Sequence, residues 1–363
     1  MADINKARQA INEIDNEMRI LFEKRMDAAK EVAEYKKERG LQIYDAAREA
    51  EIIKNGGEKI ENPEYETYYK NFLEGVMKIS KQYQSRIING MKVAYSGVEG
   101  AFAYITAKRA FPTATPIGYK DFKSAYNAVL KGECDCAILP VENSHNGDVG
   151  QVMDLAFFGE LKINGLYEIK IVQNLLGIEG ATIDDIKTVI SHPQAIGQCH
   201  DYIEKHGLIA EEAVNTAVAA KKVAEMKDKS VAAIGSIEAG ELYGLKKIEA
   251  HINEKSENTT RFAVFSPKSN IGEKHFVMTF TVQNEAGSLG KAIEVIGKYG
   301  FNLRALKSRP TKELSWSYYF YAEADGNINS DIGKLMLNEL SKCCNSINVL
   351  GSFNDEIMLE EPK

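Results

Sequence analysis

Residues 1–39 contain neither Gly nor Pro, and their apolar residues recur at 4, 7, 11, 14, 18, 21, 28, 32 and 35. This stripe, with a period of ~3.5, is the seam of a helix made to be buried against other helices. Arg25 breaks it. An arginine in such a seam meets a fixed anion or loses its hydration uncompensated, so Arg25 is expected to be a ligand contact. Lys36 falls within roughly 20° of the same face and ~16 Å along the axis, so the two cations can converge on one small anion. Arg8 stands ~25 Å from Arg25 on a straight helix and reaches the same ligand from a second subunit packed antiparallel. The expectation is a homodimer with shared sites.

Gly40 is the first glycine. Beyond it, Asp45, Arg48 and Glu49 stand at i, i+3 and i+4 on one face of a second short helix. Pro63 suits the first turn of a third helix running to about Ile88, where Ser80 and Gln84 form another i, i+4 polar pair. The order Arg8, Arg25, Lys36, Asp45, Arg48, Glu49, Ser80, Gln84 resembles the pocket pattern of the all-helical chorismate mutases, over about the first 88 residues. The resemblance implies an all-α domain over 1–89 that rearranges chorismate to prephenate by holding a reactive conformer and stabilising charge on the breaking ether oxygen. It further implies that Arg8 and Arg25 grip the carboxylates, that Lys36 and Gln84 donate to the ether oxygen, and that Asp45, Arg48, Glu49 and Ser80 position the rest.

At 363 residues, 44% of them apolar, the chain is long enough for two or three domains with separate cores. Residues 1–6 show no signal-peptide core and no apolar run reaches the ~18 residues of a membrane span, so a cytoplasmic location is expected. A net charge of −7 speaks against nucleic acid as a general partner. The cysteines, Cys134, Cys136, Cys199, Cys343 and Cys344, show no zinc spacing and read as reduced core thiols, with Cys134 and Cys136 inside one apolar strand. No metal set stands out.

Helical periodicity stops between Ile88 and Met91. Strand and helix patterns then alternate: Val93 to Tyr95 with a helix from about Ala101, Cys134 to Val141 with a helix from about Gly150, Lys187 to Ile190 with a helix from about Gln194, and Ser230 to Ile234 with a helix from about Ser236. Such alternation indicates a parallel α/β architecture, in which ligands bind beyond the carboxyl ends of the strands. Polar clusters stand at those ends. Gly97-Val-Glu-Gly100 reads as an anion cradle or a tight turn, His192 as a catalyst or a loop hydrogen bonder, and Asn215-Thr216 as site residues or a helix cap.

The segment Asn258-Thr-Thr-Arg-Phe-Ala-Val-Phe265 sets two hydroxyls beside a cation at the mouth of an apolar strand. It resembles the Thr-Arg-Phe signature of prephenate dehydratases. So do Leu139-Pro-Val-Glu-Asn-Ser144 with Gly147, Ser191-His-Pro-Gln-Ala195 with Gln198-Cys199, and Leu242-Tyr-Gly-Leu245. The resemblance covers about 91–267 and implies an α/β domain of two lobes, of the type II periplasmic-binding-protein kind. Substrate would sit in the cleft, and the strand from Thr259 would return to the first lobe. Prephenate loses carbon dioxide and a ring hydroxyl together, driven by aromatisation, so no cofactor is implied. Thr260 is the implied hydrogen-bond donor to the departing hydroxyl and Arg261 an anion or structural partner. Glu142, Asn143, Ser144, His192, Gln194, Thr216, Thr259 and Phe262 complete the implied substrate site. The chain departs from the family in its glycine turn, where Ala101-Phe102-Ala103 replaces a hydroxyl residue.

From His275 to Val282, Asn302 to Arg309, Ser315 to Ala322 and Ile347 to Leu350 the chain reads as strands, with helices over Gly287 to Tyr299 and Asp331 to Cys343. This βαββαβ order is that of an α+β ferredoxin-like unit. Gly287-Ser-Leu289, Asn302-Leu303 and Ser308-Arg-Pro310 resemble the pattern of ACT regulatory domains, over 274–356. The resemblance implies phenylalanine held by Gly287, Ser288, Leu289, Asn302, Leu303, Ser308 and Arg309 between paired domains. Ser288 stands for the usual Ala and Lys307 for the usual Glu, the second implying a weaker hold on the effector's amino group. The expected protein is a bifunctional enzyme of phenylalanine biosynthesis with product feedback. Two other readings stay open: a mutase fused to an arogenate dehydratase, or to a ligand sensor without chemistry. Thr260 beside Arg261 speaks against the sensor, which needs no hydroxyl donor.

Overall fold

The computed structural model describes residues 4–254, 258–310, 318–354 and 356–360. The chain divides into two compact units, Met1–Lys92 and Val93–Lys363. The first is three helices, α1 (Ile4–Arg39), α2 (Ala46–Gly57) and α3 (Pro63–Asn89). Gly40 closes α1 with φ +61, a conformation open to glycine at little cost. Asp45 caps α2 and Asn62 caps α3, with Pro63 in the first turn. α3 packs against both other helices, and the buried positions of α1 are the small Ala29 and Ala33. The rest of the seam is not covered by its own chain: Ile4, Ile11, Ile14 and Leu21 are 59%, 56%, 56% and 63% exposed.

In the second unit the first lobe contains β1 (Lys92–Ser96), α4 (Phe102–Ala110), β2 (Thr115–Tyr119), α5 (Phe122–Leu130), β3 (Cys136–Asn143), β4 (Gly147–Asp148), α6 (Gly150–Phe158) and β5 (Lys162–Lys170). The second lobe contains β6 (Asn174–Gly177), a 3-10 turn at Ile183–Asp185, β7 (Thr188–Ser191), α7 (Pro193–Gln198), α8 (His200–Lys205), β8 (Ile209–Glu212), α9 (Thr216–Met226), β9 (Val231–Gly235), α10 (Ile237–Tyr243) and β10 (Lys246–Glu249). β11 (Thr259–Ser266) then re-enters the first lobe. Pairing is parallel between β1 and β3, β7 and β8, and β7 and β9. The sheets are nonetheless mixed rather than parallel throughout, because β11 comes back from the other lobe and runs against both β3 and β5. β3 begins at Cys136, two residues later than its apolar run suggests, and the buried Cys134 precedes it. The cysteines form no disulfide, but Cys343 and Cys344 are only half-buried.

The remainder forms β12 (His275–Thr281), α11 (Ser288–Lys298), β13 (Asn302–Pro310), β14 (Tyr318–Asp325), α12 (Asp331–Leu340), β15 (Ser346–Phe353) and β16 (Glu356–Leu359). The start of the third expected strand, at Ser315, lies outside the described residues. The sheet runs β13-β14-β12-β15, the ferredoxin-like order, over a core of Phe276, Met278, Phe280, Ala292, Ile296, Met336 and Leu340. It is not a separate bead. Val277, Tyr321, Leu350 and Phe353 belong to the same apolar cluster as Leu139, Met153 and Ile163 of the first lobe. A Cβ on Gly351 would lie 1.8 Å from the Ile163 carbonyl oxygen, so only glycine lets β15 approach this closely. β16 joins the first-lobe sheet beside β5, giving the order β16-β5-β11-β3-β1-β2.

Candidate active sites

The helical unit holds a cavity of about 400 Å³ whose walls include Arg25, Lys36, Asp45, Arg48, Glu49, Ser80 and Gln84. Seven of the eight residues expected from the sequence are thus brought together. Arg8 does not line it and is exposed on α1. Arg25 donates to the buried Ser80 hydroxyl, which donates in turn to the Val76 carbonyl at 3.0 Å. Lys36 Nζ donates to the Ile43 carbonyl at 2.6 Å, tying the link between α1 and α2 to the cavity wall. Asp45 is not on a helix face beside Arg48 and Glu49. It precedes α2 and accepts the Arg48 backbone N–H at 3.0 Å, the ordinary role of an aspartate at a helix start. Arg48 is turned to Glu51 at 2.7 Å. Gln84 is buried with its Oε1 unpartnered among the described residues, a polar atom left for a ligand. Lys81, which the sequence reading missed, completes the wall and pairs with Glu49 at 2.9 Å. Its signal was its spacing of three from Gln84 on the same helix.

The second unit holds a cavity of about 380 Å³ between the lobes. Asn143, Thr260 and Phe262 reach it from the first lobe, and His192, Gln194 and Thr216 from the second. Among the described residues no lysine or arginine lines it. The N-terminal turns of α4 and α9 do, through Phe102, Ala103 and Thr216, and peptide N–H groups there favour anions. Gly97 and Gly100 have φ +115 and +82. A Cβ on Gly100 would press on Leu242, Ala217 and Ala239 of the facing lobe at 3.3–3.4 Å, so this glycine sets how closely the lobes meet. His192 and Asn215 are helix caps, accepting from the Gln194 N–H at 3.2 Å and the Val218 N–H at 2.8 Å.

At the cleft edge, Asn143 is fixed by five contacts. Its Oδ1 accepts the His145 and Asn146 backbone N–H groups at 3.0 Å each, which settles which end of the amide is nitrogen. Its Nδ2 lies 2.9 Å from Thr260 Oγ1, 2.9 Å from Asn258 Oδ1 and 3.0 Å from the Thr259 carbonyl, its two hydrogens shared among these three acceptors. Gln173, also missed from the sequence, lies on the wall with Oε1 unpartnered among the described residues.

Four expected substrate residues do not line this cavity. Ser144 and Thr259 hold the 143–147 hairpin to β11, the Thr259 N–H donating to Ser144 Oγ at 3.0 Å. Glu142 and Arg261 alternate with Asn143 and Thr260 along their strands and so face the other side of the sheet. There Arg261 meets Glu142 at 3.0 Å, Glu323 at 2.7 Å and Glu356. Burial alone would lower the Arg261 pKa, but these carboxylates raise it well above its ordinary value. Arg261 is a structural cation between lobe and C-terminal sheet.

The expected effector residues are split. Gly287 has φ +84 and opens α11 without a side-chain cap, beside Ser288, while Leu289 and Leu303 pack on the C-terminal core. Ser308 is exposed on β13. Asn302 donates to Asp325 at 3.0 Å, and Arg309 is committed to Asp154 of α6 at 3.0 Å. Lys307 is likewise engaged, pairing with Glu142 at 2.8 Å and Asp148 at 2.5 Å. Both carboxylates belong to the β3–β4 hairpin, within its reach because β13 lies along the first lobe. Among the described residues no cluster of three or more His, Cys, Asp or Glu is placed to hold a metal ion, and no helix is long and apolar enough to cross a membrane.

Comparison with known proteins covers both units. Residues 7–85 match the chorismate mutase type II family and residues 93–270 the prephenate dehydratase family. The arogenate dehydratase/prephenate dehydratase 2 of Arabidopsis thaliana is 31% identical, with 76% of this chain and 76% of its own length aligned. A prephenate dehydratase from Arthrobacter aurescens, solved in complex with L-Phe, superposes with a TM-score of 0.66 at 25% identity, covering 73% of this chain and 90% of that one. The bifunctional chorismate mutase/prephenate dehydratase of Aquifex aeolicus is 29% identical over 99% of this chain and 100% of its own. With likeness running through both units, the chain belongs to the bifunctional chorismate mutase/prephenate dehydratase family, an isomerase and a lyase on one polypeptide.

Proposed function

We propose that chorismate is rearranged in the helical cavity and that the resulting prephenate is converted to phenylpyruvate in the cleft, under feedback from phenylalanine bound to the C-terminal domain. The proposed division is 1–89 for the mutase, 91–267 for the dehydratase and 274–356 for an ACT regulatory domain.

In the mutase cavity Arg25 holds one substrate carboxylate and Arg8 of a second copy the other. The exposed apolar seam of α1 supports this arrangement, since it needs a partner helix. Lys36 keeps two ammonium hydrogens beyond the one given to Ile43, and Gln84, which lines the same cavity from the facing helix, offers the N–H groups of its Nε2 rather than its unpartnered oxygen. Together they stabilise charge on the ether oxygen as its bond to carbon breaks.

In the cleft the observation that carries the reading is the Asn143–Thr260 contact. Thr260 Oγ1 accepts from Asn143, so its own proton is free to point at substrate. The bond from ring carbon to carboxylate breaks and carbon dioxide leaves. The electron pair moves through the ring diene and expels the hydroxyl on the opposite carbon, which departs as water after gaining a proton. A threonine is too weak an acid to give that proton up outright, so Thr260 donates a hydrogen bond while solvent supplies the proton. The helix starts of α4 and α9, which line the cleft, hold the carboxylates.

The C-terminal domain takes L-phenylalanine with its carboxylate at the Gly287 turn and its ring near Leu289 and Leu303. Purified protein given chorismate should form prephenate and then phenylpyruvate, and phenylalanine should slow the second step. Supplying arogenate in parallel separates the prephenate reading from that of an arogenate dehydratase. Failure to form phenylpyruvate from prephenate and phenylalanine from arogenate would overturn the cleft assignment.

A further inference from the structure

Glu142 and Asp148 are direct cross-strand partners in the β3–β4 hairpin. Like charges opposite each other in an antiparallel pair repel. The hairpin is tolerated because a lysine from elsewhere closes on both. Lys307, on β13 of the C-terminal sheet, places Nζ 2.8 Å from Glu142 and 2.5 Å from Asp148, with 14% of its side chain exposed. Burial alone would raise the Glu142 pKa, yet Lys307 and then Arg261 hold it below the ordinary value.

The location gives this contact its consequence. Asn143 follows Glu142 directly and is the group that donates to Thr260. His145 and Asn146 at the hairpin tip line a cavity of about 280 Å³ that shares Gln194 and Gln198 with the substrate cleft. The hairpin therefore shapes the cleft, while the cation that neutralises it belongs to another domain.

We propose that Lys307 is a positioning residue of the dehydratase: its ammonium bridges Glu142 and Asp148, holding Asn143 within reach of Thr260 and making the reaction sensitive to the seating of the C-terminal sheet. This rests on the reading of Asn143 and Thr260 as the reacting pair. Anything that shifts β13 withdraws the one cation that bridges the two carboxylates and leaves Asp148 facing a Glu142 held only by Arg261 beneath the catalytic hairpin. The lysine thus gives effector binding a physical route to the reaction rate.

The test uses the full chain and compares Lys307→Met, Lys307→Arg, Asp148→Asn and the double variant Lys307→Met/Asp148→Asn. Lys307→Met is expected to lower dehydratase kcat about tenfold, the coupling typical of contacting charged groups, with a smaller change in KM. Lys307→Arg should retain most of the rate. The double variant should recover most of it, because a carboxamide opposite Glu142 no longer repels. Mutase turnover in the same samples reports intact folding of the helical unit, and thermal melting that of the remainder. An unchanged kcat in Lys307→Met overturns the inference, as does a loss that Asp148→Asn fails to rescue. Should Lys307→Met not fold, the charge exchange Lys307→Asp/Asp148→Lys is expected to keep kcat, and its failure to do so overturns the inference. Thr260→Val in the same assay separates the two layers. If it keeps full dehydratase activity, the reacting-pair reading fails. If it is slow while Lys307→Met is normal, only the role of Lys307 fails.

Discussion

Thr260 Oγ1 lies 2.9 Å from Asn143 Nδ2, and the amide is held in that orientation by two backbone N–H groups on its other atom. A nitrogen donor at this point makes the threonine an acceptor on one side and frees its proton for the other. Asn143→Asp keeps size and shape but puts a carboxylate where the donor was, so the threonine proton turns away from the cavity. Dehydratase kcat should fall at least as far as the ~10²-fold expected for losing one transition-state donor. Steady-state rates with prephenate check this; a rate within twofold of native would show that the Thr260 proton is not directed by Asn143.

Lys36→Ala removes a charge-assisted donor from the helical cavity and should lower mutase turnover by ~10²-fold or more. Prephenate turnover in the same sample should stay near native, since the cleft is built from the second unit alone. Unimpaired conversion of chorismate would remove Lys36 from the mechanism.

The position of Arg8 outside the cavity its family pattern assigns it to leads to a mixing experiment. Arg8→Ala and Arg25→Ala should each be inactive as mutases. Subunit exchange between them should restore part of the activity, because one site of the mixed dimer then has both arginines. No recovery in mass-verified mixed dimers would exclude the antiparallel sharing of sites.

The helical cavity was legible in the sequence because a helix converts spacing directly into position. Arg25, Lys36, Arg48, Glu49, Ser80 and Gln84 all line it as their periodicity requires. Asp45 was read as a helical residue although it stands one position before α2, because a cap and a first-turn residue share the same spacing. The cleft was less legible. Side-chain alternation along β3 and β11 sends Glu142 and Arg261 to the opposite face from Asn143 and Thr260, and sequence alone did not say what covers that face. Lys307 was read against its own domain, whereas its partners lie on a strand more than 150 residues earlier, as the pairing with Asp148 shows. Gln173 carried no local signal, since an isolated glutamine becomes a wall residue only when the lobes fold.

Acid should loosen the seam between the C-terminal sheet and the first lobe. Burial would raise the Glu142 and Glu356 pKa values above 4.5, but Lys307 and Arg261 pull Glu142 down, and Arg304 and Arg261 pull Glu356 down. Carboxyls held low in the folded state are protonated first in the unfolded chain, so the stability they contribute is present above pH 4.5 and lost as pH falls below it. Tm should decline progressively on acidification through that window, and Glu356→Gln should flatten the decline. An identical acid limb in native protein and Glu356→Gln would separate this seam from acid stability.

Phenylalanine should bind the full chain with measurable heat in calorimetry and weaken prephenate turnover 5- to 150-fold, the range of ordinary allosteric coupling of ~1 to 3 kcal/mol. Lys307→Glu would set a third carboxylate against Glu142 and Asp148, so dehydratase turnover should fall even without effector. No heat and no inhibition at millimolar phenylalanine would leave the C-terminal domain as a structural cap.

The assignment of two reactions to two separate cavities is tested most directly by following chorismate through the Thr260→Val enzyme in a single time course. Valine keeps the β-branched shape and removes only the hydroxyl. Chorismate should disappear at the native rate while prephenate accumulates, and phenylpyruvate should form ~10²-fold more slowly than in native protein. Phenylpyruvate appearing at the native rate would contradict the cleft chemistry, and a stalled loss of chorismate would contradict the independence of the two sites.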